Sequence, residues 1–243
     1  MLFDKRLRGR QVAALVADGF EQIELSIPVK ALRAEGAVVS VISLARGKIL
    51  GMSLHEPGRR VRVDRTVAET DAAHYDALLL PGGFISPDLL RQSSEARALV
   101  RSFDEQDKPI ATLCHGPWLL ASADLLRGRQ LTSWPGIRDD MVNAGAIWRD
   151  EEVVRDRNLI SSRGPQDLPA FVRAMIDLFA EPAPAYAERP APVAPSPQRS
   201  DPPFLALAAA SISPRWRAVR KVATLAALAG LAFLALRRVS ITV

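Results

Sequence analysis

The sequence predicts an α/β fold in which a mostly parallel sheet is covered by helices on both faces. Short apolar runs, rich in branched side chains, alternate along the chain with longer segments whose apolar residues recur at helical spacing. The short runs contain few polar residues, which indicates strands buried on both faces of a sheet. Apolar residues make up 48% of the 243 residues, and this is enough to build such a core.

In the first half of the chain, strands are predicted where branched apolar residues run without interruption. Helices are predicted where apolar residues recur every three or four positions, and Gly36 is the stop signal of the first helix. The predicted elements are strand 11–17, helix 21–36, strand 37–45, a loop and hairpin over 46–75, strand 76–83 and helix 87–106.

The second half continues the alternation through the only cysteine of the chain. Strand 109–114 ends at Cys114, and helix 115–126 follows at once. Pro117 falls near the first turn of this helix, where a missing N–H costs nothing. Short strands and a closing helix complete the predicted fold. They are strands 129–133, 146–154 and 158–162, helix 137–143 and helix 167–180.

The composition changes after residue 180, so one domain is predicted over 1–180. Residues 181–204 are rich in Pro, Ala and polar side chains, which predicts an extended linker. Residues 205–243 are basic and apolar, and two alternatives stay open for them: a C-terminal membrane anchor, or a helix docked on the body or on a partner. The uncharged run 222–236 would form a helix of only ~22 Å, against a hydrocarbon core of ~30 Å.

The distribution of charge limits the partners of the body. Residues 1–180 carry 24 basic and 24 acidic side chains, so the net charge of +5 belongs to the tail. A body that binds nucleic acid should carry a basic face, and none is expected here.

The charged N-terminus has no secretory h-region, and the lone cysteine fits a reducing compartment. A cytoplasmic location is therefore expected, with a membrane tether if residues 222–236 span a membrane.

Cys114 occupies a position at which a cysteine can become reactive. It lies where a strand passes directly into a helix, in Cys-His-Gly-Pro. The free N–H groups and the dipole of the following helix favour a thiolate over a thiol there. A buried, unreactive cysteine is also common, and spacing alone leaves both alternatives open.

Two further turns are expected at the same edge of the sheet, where open parallel sheets bind ligands. After the first strand, Glu21 and Glu24 are three residues apart and can share one helix face, where a carboxyl can transfer protons. They also suit the first turn of an ordinary helix. In Pro81-Gly82-Gly83, bare amides can donate to an oxyanion, although a plain turn has the same sequence.

The sequence predicts neither a metal site nor a cofactor site. One cysteine and three scattered histidines do not form a ligand cluster, and no G-x-G-x-x-G or Walker loop is present. His55 and His74 lie in polar or loop segments and are expected at the surface.

Five motifs resemble the PfpI family, which belongs to the wider DJ-one superfamily with a type 1 glutamine amidotransferase-like fold. They occur in the family's order between about residue 9 and residue 180, and the tail has no counterpart in the usual pattern. The resemblance implies a flavodoxin-like three-layer sandwich with a nucleophile elbow, so that 1–180 is a catalytic domain. The motifs are ADGFEQIEL, DALLLPGG, ATLCHGPWLL, SWPGIRDDMVNAGA and SSRGPQDL.

The resemblance also implies how the site is arranged. Cys114 is the nucleophile, and a glutamate of the first turn hydrogen bonds its sulfur; we favour Glu24, with Glu21 in support. The backbone N–H groups of Gly83 and His115 form the oxyanion hole, and the His115 side chain pairs with Cys114.

Three further assignments depend on the same resemblance. Asp88, supplied by a neighbouring subunit of a homo-oligomer, is expected to orient the histidine, so that the active site is shared. Trp118 and Trp134 are candidates to line the pocket, although core packing is the simpler interpretation of both. Arg163 is a candidate to bind an anionic group of the substrate, and a structural salt bridge is an equal alternative.

The resemblance implies an enzyme that uses Cys114 to attack carbonyl groups, and three functions stay open. The family is described as aldehyde-handling, through glyoxalase-type conversion of methylglyoxal or deglycation of amino groups, and this stress-protective function is favoured here. It is also described as an intracellular cysteine peptidase. A non-enzymatic redox sensor is the third, because an acidic, exposed cysteine is readily oxidised. Glutamine amidotransferase activity is not expected, because no His-x-Glu pair occurs late in the body.

Overall fold

The computed structural model describes residues 5–182, which form a central sheet, two small sheets and six α-helices. The strands are β1 (Gln11–Leu15), β2 (Phe20–Glu21), β3 (Val38–Ser43), β4 (Lys48–Ser53), β5 (Glu56–Arg62), β6 (Arg65–Thr66), β7 (Ala77–Leu80), β8 (Ile110–Leu113), β9 (Gln130–Leu131), β10 (Ile147–Trp148), β11 (Val153–Asp156) and β12 (Leu159–Ser162). The helices are α1 (Gln22–Ala34), α2 (Ile85–Gln92), α3 (Ser94–Glu105), α4 (Pro117–Ser122), α5 (Arg138–Asn143) and α6 (Leu168–Ala180).

The central sheet has seven strands in the order β11-β12-β8-β7-β1-β3-β6. All of its pairings are parallel except that of β11 with β12. The small sheets are a parallel pair of β9 with β10 and a three-stranded sheet in the order β2-β4-β5, where β4 and β5 form a hairpin. The mostly parallel sheet predicted from the sequence is confirmed.

The core lies in two apolar clusters, one on each face of the central sheet. In β1, Ala13 and Leu15 belong to one cluster, while Val12 and Ala14 belong to the other. This follows from the twofold alternation of side chains along a strand, and it explains why the strands are apolar throughout. The first cluster also contains residues of α3, α4 and α5, and the second contains residues of α1 and α6. The result is the predicted three-layer sandwich.

Several predicted elements differ from the structure in length or continuity. The helix predicted over 87–106 is two helices, because Ser93 adopts an extended conformation between α2 and α3. The Ser93 side chain accepts a hydrogen bond from the Ala96 N–H at 3.1 Å and so caps the N-terminus of α3. The helix predicted over 115–126 ends at Ser122, and the strand predicted over 146–154 is divided into β10 and β11.

The linker predicted over 181–204 and the segment predicted over 205–243 lie outside the described residues, apart from residues 181 and 182. The two alternatives for 222–236, a membrane anchor or a docked helix, therefore stay predictions. Within residues 5–182, no helix has the length and apolar character that a membrane crossing requires.

Candidate active site

The candidate site lies at the carboxyl edge of the central sheet, where three turns meet. Strands β1, β7 and β8 are adjacent, so the segments that leave their carboxyl ends lie side by side. The segment after β1 leads into α1 and carries Glu21 and Glu24. The turn after β7 contains Gly82 and Gly83, and the turn after β8 contains Cys114.

Cys114 forms the sharp turn between β8 and α4. Its φ is +58°, in the left-handed region that a non-glycine residue seldom adopts. Two backbone hydrogen bonds hold it there: its N–H donates to the Ser162 carbonyl at 3.0 Å, and its carbonyl accepts from the Trp134 N–H at 2.9 Å. The turn passes very close to β7, since a Cβ on Gly116 would lie 2.7 Å from the Leu80 carbonyl oxygen.

The left-handed turn brings two adjacent side chains together. Consecutive residues of a strand point to opposite faces, but the Cys114 Sγ and the His115 Nδ1 are 3.2 Å apart. Burial lowers the pKa of His115 to about 4, so the imidazole is neutral at neutral pH and can accept a proton. The pairing of His115 with Cys114 that the family resemblance implies is therefore present in the geometry of a single chain.

Glu24 is fully buried beside Cys114. Its Oε2 accepts the Gly82 N–H at 2.9 Å, and its carboxyl group is in hydrogen-bond contact with the Cys114 thiol. Its Oε1 is buried and has no hydrogen-bond partner among the described residues. Burial, and then the charge of Glu21, raise the pKa of Glu24 to about 8, so the carboxyl group retains its proton at neutral pH.

The charge state of Glu24 affects how readily Cys114 ionises. Burial, and then the negative charge of an ionised Glu24, raise the pKa of Cys114 well above its usual value, and hydrogen bonds from the backbone N–H groups of Gly83 and His115 lower it by less. The sequence position predicted the opposite direction, because it did not show that the sulfur would be buried. A protonated Glu24 carries no charge and can donate a hydrogen bond to the sulfur. When Cys114 loses its proton, the thiolate has two backbone donors around it, and a protonated Glu24 can add a third.

Glu21 lies close to the site without being in hydrogen-bond contact with the sulfur. Its side chain is buried, and its Oε2 accepts the N–H of Leu54, in the β4–β5 hairpin, at 2.8 Å. Burial raises the pKa of Glu21 above its usual range. The geometry thus distinguishes the two acids: Glu24 contacts Cys114, and Glu21 acts on Glu24 through its charge. The catalytic roles of both stay predictions.

Trp118 and Trp134 form an aromatic wall beside His115. Its imidazole stacks on Trp134, with ring centroids 5.9 Å apart, and meets Trp118 edge-on at 5.0 Å. Both tryptophans also pack against the first core cluster, so the structure gives them core contacts and a place beside the nucleophile at once. The Trp118 Nε1 donates to the Asp140 Oδ2 at 2.8 Å, and the Arg91 guanidinium lies 5.5 Å from the centre of the Trp118 ring.

Asp88 and Arg163 are not brought to Cys114 within one chain. Asp88 is exposed on α2, where its carboxylate accepts a hydrogen bond from the Gln92 side chain at 3.2 Å. Arg163 forms ion pairs with Asp167 at 2.7 Å and with Asp150 at 3.1 Å. These contacts, with the Asp167 hydrogen bond first, raise the pKa of Arg163. The salt-bridge alternative accounts for Arg163, and its binding of substrate stays a prediction.

Among residues 5–182, no cluster of three or more His, Cys, Asp or Glu side chains could hold a metal ion. The groups that meet at this edge of the sheet are the thiol of Cys114, the carboxyl groups of Glu21 and Glu24, the imidazole of His115 and backbone donors.

The family to which the chain belongs follows from the extent of the match with known proteins. The model of the DJ-1/PfpI family matches residues 10–178, which is well over half of the chain. The chain belongs to the DJ-1/PfpI family. The matched residues contain all three turns of the site and end close to the end of α6.

Two relatives match this DJ-1/PfpI chain over nearly their whole length. YraA of Bacillus subtilis (strain 168), named provisionally as a cysteine protease, is 43% identical over 171 residues, which cover 70% of this chain and 98% of YraA. Deglycase PH1704 of Pyrococcus horikoshii is 44% identical over 169 residues, which cover 70% of this chain and 99% of the deglycase.

A solved structure shows the same fold. The crystal structure of a two-domain protein from Anabaena variabilis, with DJ-1/ThiJ/PfpI-like and ferritin-like domains, matches with a TM-score of 0.66 and 37% identity. The match covers 69% of this chain and 47% of that one, so the present chain spans about half of the two-domain protein.

Sequence reasoning about this DJ-1/PfpI chain missed Arg91 and Asp140. Asp140 lies in the motif SWPGIRDDMVNAGA beside Asp139, and the sequence offers no signal that separates the two acids. They differ in the structure: Asp139 pairs with Arg138 at 2.6 Å, while Asp140 meets Trp118. Only the orientation of α5 decides which of them reaches the aromatic wall.

Replacing Gly82 with alanine is expected to disturb the site and to lower the free energy of unfolding. The new Cβ would lie 2.5 Å from the Glu24 Oε2 and 2.6 Å from the Cys114 Cβ, so one of these groups must move. Overpacking of this kind costs about 1–3 kcal/mol. Urea unfolding measures the loss, and the rate of Cys114 alkylation by iodoacetamide reports the local change.

Gly136→Ala is the matched control for this substitution. Gly136 is exposed, and its nearest contacts would be with the Trp134 side chain at 3.0 Å and 3.1 Å. If Gly82→Ala and the wild-type protein had equal stability and equal alkylation rates, the β7–α2 turn would have room for a Cβ at Gly82, contrary to the structure.

Proposed function

We propose that this chain is a cysteine-dependent deglycase that also converts free methylglyoxal. The observation that carries the proposal is the contact of Cys114 with Glu24, His115 and two backbone N–H groups at a left-handed turn. Such a site supplies a nucleophile, proton-transfer groups and donors for an oxyanion. The name of Deglycase PH1704, a 44% identical relative, supports the same activity for this chain.

In the first step, the Cys114 thiolate attacks the aldehyde carbon of methylglyoxal, or the corresponding carbon of its amine adduct. A C–S bond forms to give a hemithioacetal. With free methylglyoxal, the carbonyl π electrons move to oxygen, where the N–H groups of Gly83 and His115 can stabilise the charge until a proton arrives. With an adduct, the C–N bond breaks and the leaving amine takes a proton. Glu24, protonated at neutral pH, is a suitable donor.

In the second step, the proton on the sulfur-bearing carbon moves to the neighbouring carbonyl carbon through an enediol. The neutral imidazole of His115 is the base available for this transfer. The product is a lactoyl thioester, which water hydrolyses to lactate and the free thiol. One water is consumed for each methylglyoxal unit, and no external oxidant or reductant is needed because one carbon is oxidised while its neighbour is reduced.

We further infer that the active site is shared within a homo-oligomer, with Asp88 of a second subunit reaching His115. An imidazole with a pKa of about 4 is a weak base, and a nearby carboxylate would raise that pKa toward neutrality. Asp88 is exposed and lies among exposed apolar residues that suit an interface between subunits. These residues are Phe84, Ile85 and Leu89.

The proposal is tested by following lactate and free amino acid by proton NMR. The full-length chain is incubated in phosphate buffer with Nα-acetylarginine that has been treated with methylglyoxal. We expect both products to form faster than in a protein-free blank. Lactate that forms in proportion to free methylglyoxal, and not to the adduct, would show a glyoxalase and not a deglycase. The absence of any lactate would refute both activities.

A cysteine peptidase is the second candidate, favoured by the 3.2 Å contact between the Cys114 Sγ and the His115 Nδ1. A Cys–His pair of this kind also suits attack on an amide. The same preparation is therefore assayed with fluorogenic peptides. Peptide cleavage without lactate formation would select the peptidase. Oxidation of Cys114 by peroxide without either activity would favour the redox sensor.

A further inference from the structure

We propose that the Asp140 carboxylate, oriented by the Trp118 N–H, forms a subsite for the cationic nitrogen group of an arginine- or lysine-derived adduct beside Cys114. The subsite deepens the proposed deglycase function, on which it rests. It would make the enzyme prefer adducts of basic side chains over adducts of neutral ones, such as the hemithioacetal of cysteine.

A short series of contacts places the Asp140 carboxylate close to the nucleophile. The Asp140 Oδ2 accepts the Trp118 Nε1–H at 2.8 Å, the Trp118 ring lies 5.0 Å from the His115 ring, and the His115 Nδ1 lies 3.2 Å from the Cys114 Sγ. The Asp140 charge also raises the pKa of His115 against the larger effect of burial. The carboxylate is thus near enough to the imidazole for its field to be felt at the reacting centre.

The carboxylate is oriented and accessible. Asp140 is exposed to solvent, and the hydrogen bond from Trp118 fixes one of its carboxylate oxygens. A guanidinium or ammonium group that approaches it gains a charge-assisted hydrogen bond. The neighbouring Asp139 does not duplicate this arrangement, because its carboxylate pairs with Arg138 at 2.6 Å.

Arg91 determines which side of Trp118 a cation can use. Its guanidinium lies 5.5 Å from the centre of the indole ring, and its Nε donates to the Ser122 Oγ at 2.9 Å, which holds it over that ring. The Arg91 charge repels a second cation from this face, while the Asp140 carboxylate, beside the indole N–H, attracts it. The positive charge of Arg91 over the ring and the negative charge of Asp140 at its N–H edge therefore orient a basic side chain. A neutral side chain has no such preferred orientation.

The first experiment compares two substrates in two variants. Asp140→Asn removes the charge and keeps an oxygen that can accept the Trp118 N–H, and Asp139→Asn is the matched control on the same helix. We expect Asp140→Asn to lower kcat/KM for the methylglyoxal adduct of Nα-acetylarginine about tenfold more than for the N-acetylcysteine adduct, mainly through KM, because any effect through His115 should be the same for both adducts. Asp139→Asn should leave both unchanged.

Two kinetic outcomes would overturn the proposal. Equal losses for both adducts in Asp140→Asn would mean that Asp140 acts through His115 and not on the substrate. An unchanged ratio of the two kcat/KM values, with no loss for either, would mean that no cation binds there.

A binding measurement separates failure of the subsite from failure of the deglycase activity. The quenching of tryptophan fluorescence is titrated with Nα-acetylarginine amide and with Nα-acetylcitrulline amide, a neutral analogue of similar shape. We expect the wild-type protein to bind the arginine probe about tenfold more tightly, and Asp140→Asn to bind both equally. This result would stand even if neither adduct were turned over. Equal binding of both probes by the wild-type protein would refute the subsite.

Discussion

Cys114→Ser is expected to reduce lactate formation from methylglyoxal adducts by at least about 10⁴-fold, because it removes the only thiol of the chain. The serine hydroxyl is far less acidic than a thiol, so at any pH much less of the anionic nucleophile forms in the variant than in the wild-type protein. The rate is measured by proton NMR, with the full-length variant and the wild-type protein at equal concentration.

Thermal unfolding provides the control, since serine is close to cysteine in size and should preserve the fold. Residual activity of more than about one per cent would show that Cys114 is not the nucleophile.

If the active site is shared, mixing Cys114→Ser with Asp88→Ala subunits should restore part of the activity that each variant lacks alone. The absence of any restoration after subunit exchange would contradict the shared site.

Glu24→Gln is expected to stabilise the protein at pH 8 while lowering its activity. The pKa of Glu24 is raised from 4.5 to about 8, so the folded state favours the protonated carboxyl group. The stabilisation from this group is complete below pH 4.5 and is lost as the pH rises to about 8. The amide that replaces the carboxyl group does not titrate, so the variant should exceed the wild-type protein by about 2–4 kcal/mol in free energy of unfolding at pH 8. Urea unfolding between pH 5 and pH 9 measures the difference.

The activity of the same variant should fall because an amide cannot release or accept a proton. Loss of a proton-transfer group typically costs about 10²–10⁴-fold in rate. In the wild-type protein, kcat should decline above about pH 8, as Glu24 loses its proton, and this alkaline decline should be absent from the variant. Full activity together with an unchanged alkaline decline would show that Glu24 is a structural residue.

Glu21→Gln provides a matched control for the same pair of acids. The charge of Glu21 contributes to the raised pKa of Glu24, second to burial. Removing that charge should lower the pKa of Glu24, so the alkaline decline in kcat should move to lower pH. The catalytic rate near neutral pH should change less than in Glu24→Gln, because Glu21 is not in hydrogen-bond contact with the sulfur. A larger loss in Glu21→Gln would reverse the roles assigned to the two acids.

The sequence alone was sufficient for the architecture because burial leaves a clear pattern in it. Strands that are buried on both faces must be apolar at every position, and the turns after β1, β7 and β8 carry the polar and glycine residues that interrupt those runs. The break at Ser93 was missed, since apolar residues keep their helical spacing across α2 and α3. A single cap at Ser93 decides that two helices form there.

The contacts within the site depend on distances between atoms, and the spacing of residues along the sequence does not determine those distances. Glu21 and Glu24 are both suited to the first turn of α1, and only the tertiary contact with the Gly82 N–H and the sulfur separates them. The contact of His115 with Cys114 depends on a left-handed turn that no residue type in Leu-Cys-His requires. The role proposed for Asp88 depends on contacts between subunits, which the spacing of residues along one chain does not encode.

The two hydrogen bonds that hold Cys114 in its left-handed conformation have a consequence for the synthesis of the protein. Their partners, Trp134 and Ser162, follow Cys114 by 20 and 48 positions along the chain. A left-handed non-glycine residue costs about 1–3 kcal/mol, and a nascent chain that ends before residue 134 has neither bond to offset that cost. The cysteine therefore leaves the ribosome with an ordinary backbone. We expect it to acquire its reactive geometry only after the last strand of the sheet has been added, so that an unfinished chain does not carry an activated thiol.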